Sequence, residues 1–345
     1  MNCIVRISAA VCGALLLAGC YKPDGPASEQ NGICFEAGSP LLLDDATKGT
    51  AVIDGTSFSS GAQLNVIGWH LNSFITFGTT TPVTLGSSSH WSYSPLIGWL
   101  WGSSETDYYD FLAVYPYKAN RTFSKSGGAQ TTASFSYDAQ TEQTDLMAAG
   151  TRRLKSEGDA TVAFQFSHQL SAIRVVVHND LGRALTLKSL YYKKLIVGGT
   201  LQLVIGSSGF ATSWDNLNRN TTDQLFGNTN ISQSLAVDAS YTCPASVQGQ
   251  DWWDMMIPQS LAPQSNDPQL MLSYSYVDEN QVTQNINDLP VSLKTILDGN
   301  SSAITSWEAG KKYTYHIYIR MGGIYVNVIT TQWDPVSAET PGLQI

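Results

Sequence analysis

The chain has 345 residues, 43% of them hydrophobic and only 14% charged, with 19 Lys+Arg against 28 Asp+Glu and a net charge of −9. That balance excludes a general nucleic-acid binder, which needs a dense basic face to displace counterions. Nine Trp, 16 Tyr and 11 Phe exclude disorder for the bulk of the chain, and abundant Gly, Ser and Thr with few Lys and Glu favour strands and turns over helices.

The first element in chain order is an export signal. Arg6 precedes an apolar run, Ile7 to Leu17, that is too short for a bilayer, which takes ~20 apolar residues. The run closes on Leu17-Ala18-Gly19-Cys20, which resembles a bacterial lipobox. The resemblance implies cleavage before Cys20 and lipid on its thiol and new amine. Position +2 is Tyr21, so the Asp of an inner-membrane retention signal is absent. Residues 1–19 are read as a lipoprotein signal peptide. Residues 20–32, with Pro23, Gly25 and Pro26, are read as a flexible tether. Cys34 and Cys243 could pair in an oxidising compartment.

Past the tether, short apolar segments recur between Gly/Ser/Asn/Asp clusters, the spacing of sandwiches or barrels. In the first half strands are predicted near Ala51–Ile53, Leu64–Leu71, Phe74–Leu85, His90–Tyr93, Asp110–Tyr115, Thr132–Tyr137 and Asp145–Ala149. In the second they fall near Thr161–His178, Leu185–Ile205, Ser234–Tyr241, Trp252–Ile257, Gln269–Val277, Val282–Leu293, Lys312–Arg320 and Ile324–Thr331. No segment of helical length keeps a 3.6-residue apolar period, though short helical turns fit near Leu217–Phe226 and Lys294–Leu297. The expectation is an all-β chain with one sandwich in each half, 33–158 and 159–345, divided at the polar stretch Arg152–Asp159.

Two local patterns sharpen this. With Gly322-Gly323 as a two-residue turn, Ile319 faces Val326 and Ile317 faces Val328, and Tyr315 and Tyr313 continue the apolar face. Arg320, Tyr318 and His316 fall on the other face. Around Phe164, the apolar positions are even as far as Leu170 and odd from Ile173, so a bulge or bend near Gln169–Ala172 should re-aim the strand, allowing it to cross between sheets.

Chemistry is sparse. The five histidines form no His-Glu-x-x-His, no Cys cluster has zinc spacing, no Gly-x-Ser-x-Gly elbow occurs, and the Gly pairs lack a phosphate loop's Lys. No catalytic residue, metal or cofactor is expected. His168 lies on the apolar parity of its strand and reads as a core histidine. Asp107, Asp110, Glu142 and Asp145 could be paired in space, with no sequence sign of it. The remaining signal is aromatic: Trp99 and Trp101 in the Leu96–Trp101 loop, and Trp252 beside Trp253. Exposed, these rings would suit a monomeric surface glycan-binding lipoprotein. Buried, the loop would pack against the second half, and alternation would put one ring of the Trp252-Trp253 pair in the core and the other at the interface between the halves.

Taken in order, several segments resemble the fimbrillin (Mfa-like) family of pilins from Bacteroides-type bacteria, the subunits of type V pili. They are the lipobox at Cys20, Thr47-Lys48 ahead of Phe58 and Leu64-Asn65-Val66-Ile67, and Phe111-Leu112-Ala113-Val114-Tyr115-Pro116-Tyr117. Asp145–Ala149, Phe164–Val177, Met255–Gln259 and Trp307–Tyr313 continue the series. The resemblance implies two tandem transthyretin-like β-sandwiches, export as a lipoprotein, and display at the outer membrane and in the fimbrium. It also implies that a trypsin-like protease removes the lipid and first strand, and that a strand from another pilin subunit fills the vacated groove. The matching bond is Lys48–Gly49, where the family more often carries Arg, and the removable strand is Ile33–Leu43. Partners so implied are other subunits, the outer membrane through the Cys20 lipid, and a host or glycan ligand.

Overall fold

A computed structural model describes residues 32–38, 50–51, 58–71, 73–86, 90–126, 130–219, 227–228, 230–245, 252–261, 268–294 and 304–333. The fold is all-β, and the one helical element among the described residues is the 3₁₀ turn Lys155–Glu157.

The first sheet has seven strands. Its order is Ser167–His168, Met147–Leu154, Tyr108–Tyr115, Gln63–His70, Thr81–Leu85, Trp91–Ser94, and Ser73–Phe77 also pairs with Gln63–His70. Its central strands are covered on both faces. Leu64, Val66, Phe111, Ala113, Met147 and Ala149 enter one core, whereas Ile67, Trp69, Leu112, Val114 and Ala148 enter another. Burial on both faces explains why Phe111-Leu112-Ala113-Val114 reads as an unbroken apolar run.

The smaller core is closed by a parallel pair, Phe35–Gly38 with Val162–Gln165. The larger core lies under a four-stranded sheet, ordered Gly209–Arg219, Ile196–Gly206, Thr131–Asp138, Ser124–Ser126. It continues into two further sheets. One is ordered Thr50–Ala51, Trp252–Met256, Ser171–Asp180, Lys311–Arg320, Gly323–Gln332, with Ser240–Cys243 also on Ser171–Asp180. The other is ordered Gly227–Asn228, Leu185–Lys193, Gln269–Val277, Thr283–Ser292, with Gln233–Leu235 also on Leu185–Lys193.

Backbone pairing crosses the division expected between residues 158 and 159. Thr131–Asp138 runs antiparallel to Ile196–Gly206, from Thr131↔Ile205 to Asp138↔Gly198. Thr50↔Trp253 and Ala51↔Trp252 make a second crossing. The Gln143 side chain makes a third, accepting from the Met255 N–H at 2.8 Å and donating to the Met255 carbonyl at 3.0 Å. Within Arg152–Asp159, the first three residues end the strand Met147–Leu154 and Lys155–Glu157 forms the 3₁₀ turn.

Local expectations hold in part. The strand does cross between sheets: Ser167–His168 pairs with Met147-Ala148 in the first sheet, and Ser171–Asp180 joins the six-stranded one. The C-terminal hairpin keeps its expected faces but turns at Met321-Gly322, with Ile317↔Val326, Ile319↔Ile324 and Arg320↔Gly323. The positive φ falls on Gly323, at 136°. Phe74–Leu85 is two strands, broken where Gly78 takes φ 71°, and Leu185–Ile205 is two, broken where Lys194 takes φ 62°. Leu217 to Arg219, expected as part of a helical turn, ends the strand Gly209–Arg219.

Cys243 is a free, buried thiol, so Cys34 and Cys243 do not pair. Burial, with Asp254 nearby, pushes the Cys243 thiol up to about 12. Because the thiolate is the nucleophile, iodoacetamide at mildly alkaline pH should leave the Cys243 peptide unmodified in native protein. The same treatment in guanidinium should label it fully, as read by mass spectrometry.

Candidate functional site

The strand Phe35–Gly38 is held as a guest. It lies parallel to Val162–Gln165 in register Phe35↔Val162 to Gly38↔Gln165, and Val162–Gln165 has no other strand partner among the described residues. On its other side the preceding residues run along a loop: Gly32 bridges Gly98, and the Ile33 N–H donates to the Ile97 carbonyl at 2.8 Å. The Cys34 carbonyl accepts from the Val162 N–H at 2.8 Å, and the Ile33 carbonyl accepts from the Tyr93 hydroxyl at 2.8 Å. Burial pushes the Tyr93 phenol up to about 12, so it remains a donor.

Alternation sets what the guest buries. Ile33 and Phe35 are buried and Glu36 faces solvent. The Phe35 ring stacks on Phe164 at 5.6 Å and meets Phe77, Tyr93 and Phe111 at 5.0, 5.5 and 6.0 Å. Burying Ile33 and Phe35 contributes roughly 1.5–3 kcal/mol each. Removing this strand would open an aromatic groove and strip Val162–Gln165 of its ladder.

Cys20, Lys48 and Gly49 lie outside the described residues. The strands that flank Lys48-Gly49 are described, and they are held apart: Phe35–Gly38 closes the smaller core, while Thr50–Ala51 pairs with Trp253 and Trp252.

The aromatic candidates form no open platform. Trp99 is buried, stacked on Trp101 at 4.9 Å and edge-on to Tyr109 and Phe111. Trp101 is half-buried, and its indole N–H donates to Asp159 at 2.7 Å. The loop thus packs on the core of its own half rather than on the second, leaving Leu96 and Leu100 exposed. Trp252 and Trp253 are both buried.

The acidic residues pair with basic side chains rather than with each other. Asp107 meets His70 at 2.8 Å, Asp110 meets Arg152 at 2.7 Å, Glu142 meets Lys118 at 2.5 Å, and Asp145 meets His168 at 2.9 Å. Burial works against the Asp107 charge, but hydrogen bonds from His70 and the Gly102 N–H hold its carboxyl below its ordinary value. His168 is a core histidine, stacked on Trp333 at 4.0 Å. Among the described residues no three His, Cys, Asp or Glu side chains converge as metal ligands.

The sequence marked the guest strand but not its walls. Phe77, Tyr93 and Phe111 lie on three separate strands that only the fold brings together. Phe164 alone carried a signal, its alternation with Phe166.

The fimbrillin-like family model matches residues 50–333. The chain belongs to the fimbrillin-like family. Among solved structures, a fimbrial protein from Bacteroides vulgatus is 14% identical, covers 88% of this chain and 99% of its own, and superposes with a TM-score of 0.50. The tip fimbrial protein Mfa3 from Porphyromonas gingivalis, with a C-terminal truncation, is 9% identical, covers 79% of this chain and 95% of its own, and has a TM-score of 0.34. The first of these likenesses supports the fimbrillin-like chain's β fold, and no curated protein matches the sequence.

Proposed function

We propose that this fimbrillin-like chain is a structural pilus subunit, exported as a lipoprotein through Cys20 to the outer membrane and assembled into a surface fimbrium that serves adhesion. In this reading a trypsin-like protease cuts Lys48–Gly49, the segment 20–48 leaves with its lipid, and a strand of another subunit enters the vacated groove. The observation that carries it is the separate anchoring of the strands on either side of that bond. One cut frees Phe35–Gly38 while Thr50–Ala51 stays bonded to Trp252 and Trp253. The family match beginning at residue 50 agrees with a mature chain that starts beside it. Burial of Trp99 and Trp252 weighs against the glycan-binding alternative.

Replacing Lys48 with Ala tests the reading. The expected result is a full-length monomer on the cell, with lipid on Cys20 by mass spectrometry and no high-mass ladder on an unboiled gel. A normal ladder with the 20–48 segment still attached overturns it.

A further inference from the structure

The long edge strands of this molecule differ in how well they are guarded. An edge presents unpaired N–H and C=O groups, and proteins blunt it with charge, Pro, bulges or shortness. Thr283–Ser292 carries Asp288 at φ 49°, Pro290 and a register shift. Gly209–Arg219 carries Asp215, Asn216 at φ 48° and two register shifts. Trp91–Ser94 and Ser124–Ser126 are short, at four and three residues.

Gly323–Gln332 has none of these devices. Its ten residues, Gly-Ile-Tyr-Val-Asn-Val-Ile-Thr-Thr-Gln, contain no charge and no Pro. It pairs with Lys311–Arg320 without a register shift and ends its sheet with no further strand partner among the described residues. On the outer face Tyr325 and Ile329 are 51% and 45% exposed. On the core face Ile324 and Val326 are only half-buried, although Ile317 and Ile319 opposite them are fully buried. Among the described residues, none covers the core along this edge.

We propose that the Gly323–Gln332 edge is a docking surface for the same edge of a second copy of this chain, the two strands running antiparallel about a two-fold axis. The row is complementary to itself. Having no charge, it sets no like charges opposite one another when it meets its own copy. The added strand brings a second Ile324-Val326-Val328 row over the half-buried one and satisfies the outward backbone groups of both. This contact uses neither the first-strand groove nor cleavage at Lys48, so it stands or falls apart from the proposed assembly route.

The test uses full-length Cys20→Ala, Lys48→Ala protein, which keeps its first strand in place, in analytical ultracentrifugation across the micromolar range. The expected result is a reversible species with the mass of two chains. Asn327→Lys alone and Asn327→Asp alone should each sediment as monomers, because like charges would then flank the axis. Their equimolar mixture should restore the two-chain mass. Hydrogen exchange should show amides of residues 324–330 protected in the dimer and released in either single variant. A protein that stays monomeric throughout, with these amides exchanging freely or shielded by another segment of its own chain, overturns the proposal. So does a dimer indifferent to both substitutions.

Discussion

Replacing Phe35 with Ala should lower the stability of the full chain by about 3–5 kcal/mol, the usual cost of emptying a buried Phe site. The Phe35 ring fills a pocket of four other aromatic rings, which lie on four separate strands. The walls distinguish two forms of the protein. A chain made to begin at Gly49 has no residue 35 and should be less stable than the full chain. Phe164→Ala should weaken the full chain by a similar amount, through loss of the stacked partner and of packing beneath Val162–Gln165. A peptide spanning residues 32–38, added to the chain that begins at Gly49, should raise its melting temperature, and should do so less when Phe164 is Ala. Denaturant titration and thermal melts check all of these. Full stability in Phe35→Ala would mean that the strand is held by its backbone alone.

Asp110→Ala should be the most damaging change to a charged side chain, at about 3 kcal/mol or more. Asp110 is fully buried, receives two hydrogen bonds from Arg152 at 2.7 and 2.8 Å, and accepts from the Thr131 hydroxyl at 2.6 Å. Arg152 lies directly across the ladder, whereas Thr131 belongs to the four-stranded sheet, so one carboxylate joins two sheets. Its hydrogen bonds, against the cost of burial, hold the Arg152 guanidinium above its ordinary value. Removing Asp110 leaves Arg152 without its counter-charge and the Thr131 hydroxyl without its acceptor. Arg152 keeps some solvent contact, which places the loss near the lower end for buried pairs. Replacing both partners, as Asp110→Leu with Arg152→Met, should recover much of it, because the uncompensated charge is then absent. Chemical denaturation of the single and double variants decides.

Face was readable in the sequence where one side of a strand is wet. Tyr313, Tyr315, Ile317 and Ile319 alternate with polar neighbours, and all four are buried. The hairpin turn was displaced, but a register error of two residues leaves every side chain on its proper face. The sheet crossing between His168 and Ser171 was visible as a change of parity. Partner choice was not readable. Thr131–Asp138 alternates in the same way whether its neighbour precedes or follows residue 158, so its pairing with Ile196–Gly206 has no sequence signal. The strand Gly209–Arg219 has no sequence signal because it buries no residue fully, leaving no apolar period. In the candidate site, the guest strand showed itself as apolar residues after a polar tether. Its walls are single aromatics from distant segments, each indistinguishable in sequence from ordinary core.

The crossing of strands between the halves also fixes an order of events as the chain is made. Phe35–Gly38 waits for Val162–Gln165, Thr131–Asp138 waits for Ile196–Gly206, and Thr50–Ala51 waits for Trp252-Trp253. Ser171–Asp180 gains its parallel neighbour only when Lys311–Arg320 arrives, near the end of synthesis. Such distant pairings are slow to form and leave early strands unpaired meanwhile. The smaller core can close as soon as Val162–Gln165 has been made, because all its buried members lie between Ile33 and Phe164. The larger core cannot be completed so early: Tyr313, Ile317 and Val328 belong to it, so it waits for delivery of the final hairpin.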